Sequence, residues 1–266
     1  MKTRFILIAL AFASSFAVAA PAAAAGESVF LDELTWTDVR DAVAGGRTTV
    51  IVPVGGTEQS GPHMALGKHN VRAHVLAGRI AEQLGNALVA PVVSYVPEGP
   101  VDATSGHMKY PGTISVPSDA FKAVLEGAAR SLRRAGFRDI VLVGDHGGYQ
   151  SELAAVAAKL NREWAATSAR VHFIAEYYRA GVEPYAQALR AHGLADAQIG
   201  LHAGAADTSL MLAVDPRLVR ADRLGAPAPG DGVSGDARPA TAAFGQLGVD
   251  LIVARSVNAI RRAVVR

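Results

Sequence analysis

Short apolar runs alternate with longer amphipathic segments along most of this 266-residue chain. Residues 48–54 (TTVIVPV), 87–95 (ALVAPVVSY), 139–144 (DIVLVG) and 170–175 (RVHFIA) are dense in β-branched and apolar side chains, as buried strands are. Residues 70–85, 118–136 and 149–167 instead repeat their apolar positions every three or four residues, the period of a helix that buries one face. Ser118 is placed to cap the second of these helices and Gly136 to stop it. Strand, helix, strand, helix predicts a mostly parallel central sheet covered on both faces, a three-layer α/β/α sandwich. Residues 246–264 predict a closing helix. The stretch before it, 223–245, is rich in glycine, proline and alanine and predicts a long loop, whose blandest reading is a mobile linker.

Residues 1–25 stand outside that alternation. A basic start (Lys2, Arg4), an apolar segment and a run of small residues ending near AAAAGES predict a secretory signal peptide. Its removal would leave 26–266 as one α/β domain of an exported protein, periplasmic or secreted. The segment is alanine-rich and interrupted by Ser14 and Ser15, which disfavours a membrane anchor, and nothing later predicts a membrane span. There is no cysteine, so stability has to come from the core, a metal or partner subunits. The formal net charge is +2 with scattered arginines, which argues against a nucleic-acid partner.

Ligands of an open parallel sheet bind beyond the carboxyl ends of the strands, where loops converge. The segments after the predicted strands are GGTEQSGPHMALGKHN (55–70), VPEGPVDATSGHMKYPGTIS (96–115), GDHGGYQ (144–150) and, further along, GLHAGAADTSLML (200–212). Each carries histidine or carboxylate beside glycine. Imidazole and carboxylate without thiolate suit a divalent ion such as zinc or manganese, which polarises a carbonyl and acidifies water, as amide hydrolysis needs. Taken singly, His63 or His107 is more often structural, and His74, His172 and His192 are read as structural or solvated. A serine nucleophile is disfavoured, because the turn GDHGG has histidine where a nucleophile elbow needs serine.

These motifs, in this order over nearly the whole of 26–266, resemble those of the creatininase (creatinine amidohydrolase) family. VPVGGTEQSGPHMALGKHN is similar to the family's P-x-G-S-x-E-Q-H-G-P-H-L-P-L-x-T-D, and HMKYPGTIS, GDHGGYQ, HAGAADTSLML and DGVSGDARPAT match its later elements. The resemblance implies a single α/β domain, an oligomer, often a hexamer, and metal-dependent hydrolysis of cyclic or linear amides. It puts metal-binding positions on Glu58, His146 and Asp207, with catalytic roles for Glu58 and His202, and expects Ser60, His63, His107 and Tyr149 beside the substrate. Two positions depart from the family: Ser60 stands for a histidine ligand and His69 for the bridging aspartate.

A neutral imidazole binds one ion and cannot bridge two, so these departures predict one metal site rather than two. Glu58, His69, His146 and Asp207 would hold a single zinc or manganese ion, and His202 would pass a proton to the leaving nitrogen. The expected substrate is a small-molecule amide. The alternative from another class is a non-catalytic small-molecule-binding protein that keeps the fold without a working metal.

Overall fold

The computed structural model describes residues 28–102 and 106–265, and the predicted signal peptide lies outside them. The apolar runs form strands β1 (Thr49–Val54), β2 (Ala87–Val89), β3 (Asp139–Gly144) and β4 (Arg170–Phe173) of one parallel sheet, ordered β2-β1-β3-β4. β1 and β3 are buried along their whole length. Successive side chains point to opposite faces, so Val50, Val52 and Val54 join one core and Ile51 the other.

One face is covered by α1 (Trp36–Ala44), α3 (Ser118–Arg134) and α4 (Gln150–Glu163), which contribute Phe121, Leu125, Leu153 and Leu160. The other is covered by α2 (Lys68–Leu84), α5 (Ala175–Ala180), α6 (Glu183–Ala191) and the long α9 (Ala242–Val264), with α7 (Asp196–Ile199) and α8 (Ala205–Val214) packed among them. The three-layer α/β/α sandwich expected from the alternation is the fold. No described helix is long and apolar enough to cross a membrane.

The differences from the predicted elements have local causes. The second strand stops at Val89 instead of running to 95, because Pro91 has no N–H to give the ladder; pairing with β1 returns only at the isolated bridge Val54–Val93. Residue 118 starts α3 inside its first turn, and the Ser118 hydroxyl goes to Glu152 rather than capping the backbone. α9 begins at Ala242, capped by the Thr241 side chain, four residues earlier than its periodicity suggested. The loop before it is tied down: Ser234 pairs with His202, and the Gly232 carbonyl accepts from Gln59.

α8 and α9 cross closely because Gly245 has no side chain. A Cβ there would lie 1.8 Å from the Ser209 carbonyl oxygen. In an open helix, alanine for glycine would stabilise by about 1 kcal/mol. Here Gly245→Ala is expected to destabilise by about 1–3 kcal/mol through overpacking, seen as a lower urea midpoint at unchanged slope. A raised midpoint would show that the helices have room to part.

Candidate metal centre

In a sheet ordered β2-β1-β3-β4, the connections leave β1 and β3 in opposite directions, and a crevice opens beyond their carboxyl ends. Glu58 lies in the loop after β1, while Asp145 and His146 follow β3 directly. The first two turns of α2 enter the same crevice with Lys68, His69 and Arg72, and α8 brings Asp207. They line a cavity of about 640 Å³. Gly56 lets β1 turn into this loop: its φ is 150°, and a Cβ would lie 2.8 Å from a Glu98 carboxylate oxygen.

Glu58, fully buried, is the hub. Its Oε1 lies 2.8 Å from His69 Nε2, 3.5 Å from Lys68 Nζ and 3.6 Å from His202 Nδ1. Its Oε2 lies 3.4 Å from His107 Nδ1 and 3.6 Å from His146 Nε2, and no hydrogen bond reaches it. Although burial works against its charge, the His69 hydrogen bond and the charges around it hold the Glu58 carboxyl well below the usual range. Among the described residues, two groups of ligand atoms are close enough to hold an ion, Glu58 with His69 and His146, and Glu58 with His107 and His202.

Buried charge of both signs surrounds this hub. Asp145 accepts from His69 Nδ1 at 2.5 Å, from Arg72 Nε at 2.8 Å and from the Tyr177 hydroxyl at 2.9 Å. Asp207 takes Arg72 on one oxygen at 2.7 Å, and Lys68 with the Ala203 N–H on the other. Ala203 is held at φ 54°, the one described non-glycine residue with positive φ. Three carboxylates, Glu58, Asp145 and Asp207, thus face Lys68, Arg72 and His69. Burial opposes charge on His69, but its two carboxylate partners outweigh this and raise its pKa above the ordinary imidazole value.

Among the expected site residues, Glu58, His69 and His146 come together, and the His107 and His202 rings lie 4.4 Å apart, tilted by 53°, with the Gln59 side-chain amide against both. Asp207 sits apart from the ion-holding groups with both oxygens engaged by cations. His63 is buried against Thr208, at 3.0 Å. Tyr149 is fully buried, its hydroxyl bonding the Val54 and Gly55 carbonyls and the Asp145 and His146 amides. It braces the two strand ends rather than facing the cavity. Ser60 is fully buried with an unpartnered hydroxyl. His172 pairs with Asp139 and His74 stacks on Phe30, both structural as expected. Sequence reasoning missed Gln59, Lys68, Arg72, Asp145 and Glu98. The Glu98 carboxylate is fully buried, 3.7 Å from His146 Nδ1, with neither oxygen hydrogen-bonded.

A parallel α/β sandwich with imidazoles and carboxylates gathered at its switch point has the features of a metal-dependent hydrolase. The chain belongs to the creatininase family: the family model for creatinine amidohydrolase matches residues 32–260. Creatinine amidohydrolase of Pseudomonas putida is 31% identical over 203 residues, 74% of this chain and 76% of that one. Mycofactocin precursor peptide peptidase of Mycolicibacterium smegmatis is 40% identical over 119 residues, 43% and 45% of the two chains. The solved structure named "Creatininase Mn" superposes with a TM-score of 0.74 at 29% identity, covering 89% of this chain and 99% of that one. A creatininase mutant of "Zn-Zn type" gives 0.75 at 28%, covering 89% and 98%.

Burial, then the Glu58 charge, pushes the Glu98 carboxyl up to about 8, while burial, helped by the cations His69 and Lys68, lowers His146 and His202 to about 4. Between about pH 4 and 6.5 the unfolded chain takes up protons that the two folded histidines refuse, so their contribution to stability grows as pH rises. Glu98 works oppositely. Folded, it keeps a proton that the unfolded chain loses near 4.5, so its contribution is lost as pH rises to about 8. The raised pKa of His69 acts in the same direction above 6.5. Metal-free protein is therefore expected to lose stability between pH 6.5 and 8.5, and Glu98→Gln to reduce that loss by on the order of 1 kcal/mol in urea titrations. An equal loss in the variant would mean that Glu98 is ionised throughout.

Proposed function

We propose that this chain cleaves a cyclic or linear amide C–N bond using one divalent ion, zinc or manganese, held by Glu58, His69 and His146. The observation that carries this reading is the orphaned Oε2 of buried Glu58, with His146 Nε2 3.6 Å away while His69 Nε2 lies 2.8 Å from Oε1. Zinc–nitrogen bonds of 2.0–2.1 Å at tetrahedral angles separate donor atoms by about 3.3 Å, so the 3.6 Å gap has the size of neighbouring ligands on one ion, and His69, hydrogen-bonded to Oε1 while metal-free, would give up its Nε2 proton to join them. Asp145 on Nδ1 of His69 fixes the ring with Nε2 toward Glu58, the arrangement that orients a ligating histidine. An ion bound there would supply Lewis acidity toward the amide carbonyl and acidify the attacking water.

His202 handles the proton. Its Nε2 donates to the Gln59 carbonyl at 2.9 Å, which leaves a lone pair on Nδ1 toward Glu58, and its lowered pKa keeps the ring neutral near pH 7. Nδ1 can therefore accept a proton and pass it to the departing nitrogen. His107 and Gln59 stand on the same side and would orient the substrate. The amidohydrolase and peptidase relatives support an amide substrate. The N-terminal run and the family resemblance support an exported protein that acts as a homo-oligomer.

The balance of three carboxylates against Lys68, His69 and Arg72 favours a second reading, a non-catalytic small-molecule binder that folds without an ion. Titrating metal-free protein with zinc and manganese, with a screen of lactams, cyclic ureas, formamides and short peptides, separates the two. About one ion per chain and turnover of one amide class are expected, with affinity and turnover both falling roughly 100-fold in His146→Ala. Absence of both binding and turnover would leave the binder.

A further inference from the structure

We propose that Glu98 is the positioning residue of His146: when Nε2 of that ring holds the ion, the Glu98 carboxyl accepts a hydrogen bond from its Nδ1–H. This rests on the one-ion reading above and adds to it the group that sets the ring's tautomer. The observation behind it is a carboxyl with no partner. The Glu98 side chain is fully buried, neither of its oxygens is hydrogen-bonded, and Oε2 lies 3.7 Å from His146 Nδ1. An acidic side chain is almost never fully buried unless it is paired, and the imidazole beside it is the partner within reach.

The backbone is built to hold the carboxyl there. The Ser115 hydroxyl clamps the loop on both sides of it, accepting from the Glu98 N–H at 3.0 Å and donating to the Gly99 carbonyl at 2.6 Å. Opposite, Gly56 leaves room: a Cβ there would lie 2.8 Å from Glu98 Oε1. At present His146 Nδ1 accepts from the Gly148 N–H at 3.2 Å, so the neutral ring carries its one proton on Nε2. An ion at Nε2 sends that proton to solvent, and the ring stays neutral by taking one up at Nδ1. Nδ1–H and the Gly148 N–H are then both donors and cannot bond each other. A ring movement of less than about 1 Å brings Nδ1 to hydrogen-bond length from Glu98 Oε2. Ionised or protonated, the carboxyl keeps an accepting oxygen, so the contact does not depend on its charge. His69 already has this arrangement, with Asp145 on its Nδ1, and each ligating histidine is then oriented by its own carboxyl.

The test reads ring tautomer and zinc affinity, not turnover. Wild type, Glu98→Gln and Glu98→Leu with isotope-labelled histidine are followed by NMR through a zinc titration, and affinities are measured by competition with a chelator. In wild type, zinc should move the His146 proton from Nε2 to Nδ1, where the carboxyl shifts it downfield and slows its exchange with water. Glu98→Gln keeps an accepting oxygen and should behave alike. Glu98→Leu should lose the downfield shift and the slow exchange, and bind zinc roughly 10–100-fold more weakly. Unchanged affinity and exchange in Glu98→Leu would overturn the proposal and leave the one-ion reading intact. No zinc on wild type would overturn that reading and this proposal with it. Should Glu98→Leu fail to fold, the wild-type spectrum decides. A downfield, slowly exchanging Nδ1 proton supports the contact, and one that exchanges freely, or stays on Nε2 with zinc bound, refutes it.

Discussion

The first two turns of α2 place three cationic side chains against three buried carboxylates, and the functional end of the sheet is built around that contact. Lys68 and His69 sit at the helix N-terminus, where the backbone dipole disfavours positive charge by up to about 1 kcal/mol each. Carboxylates from three different elements overcome this: Glu58 after β1, Asp145 after β3 and Asp207 on α8. Removing one member of such a buried set costs about 3–5 kcal/mol, because it strands the opposite charge. The network therefore ties α2 and α8 to the strand ends. Glu58, neutralised on its Oε1 side, keeps an Oε2 free of hydrogen bonds.

That asymmetry shapes the chemistry. One oxygen of Glu58 belongs to the charge network, and the other faces His107 and His146 without a hydrogen bond. Solved members of the family include zinc and manganese forms, and in this chain the buried Lys68 side chain stands 3.5 Å from the same Glu58 oxygen that His69 engages.

Much of this could be read from the residues. The strands and principal helices follow from apolar period, and Glu58, His107, His146 and His202 follow from the rule that strand-end loops carry the site. Asp207 was legible as a site carboxylate but its partners were not, since GKHNVRA looks like the solvated start of an amphipathic helix. A signal was there: Lys68 and Arg72 continue, four residues at a time, the buried stripe of Leu76 and Ile80, so that face of α2 stays buried to its first turn. Glu98 left none, because it lies in a proline- and glycine-rich loop without period, and its burial depends on where β1 and His146 place their backbones. The shortening of β2 was written in Pro91. The helices α5 to α8 were too short, or in α8 too uniformly apolar, to declare a period.

The most direct measurement is a crystal structure of the zinc-soaked protein with diffraction collected at the zinc absorption edge. The account predicts one anomalous peak per chain, bonded to Glu58, His69 and His146, with Lys68 Nζ still between Glu58 and Asp207. A peak bonded to Asp207 with the Lys68 side chain swung away, or two peaks bridged by Glu58, would contradict it.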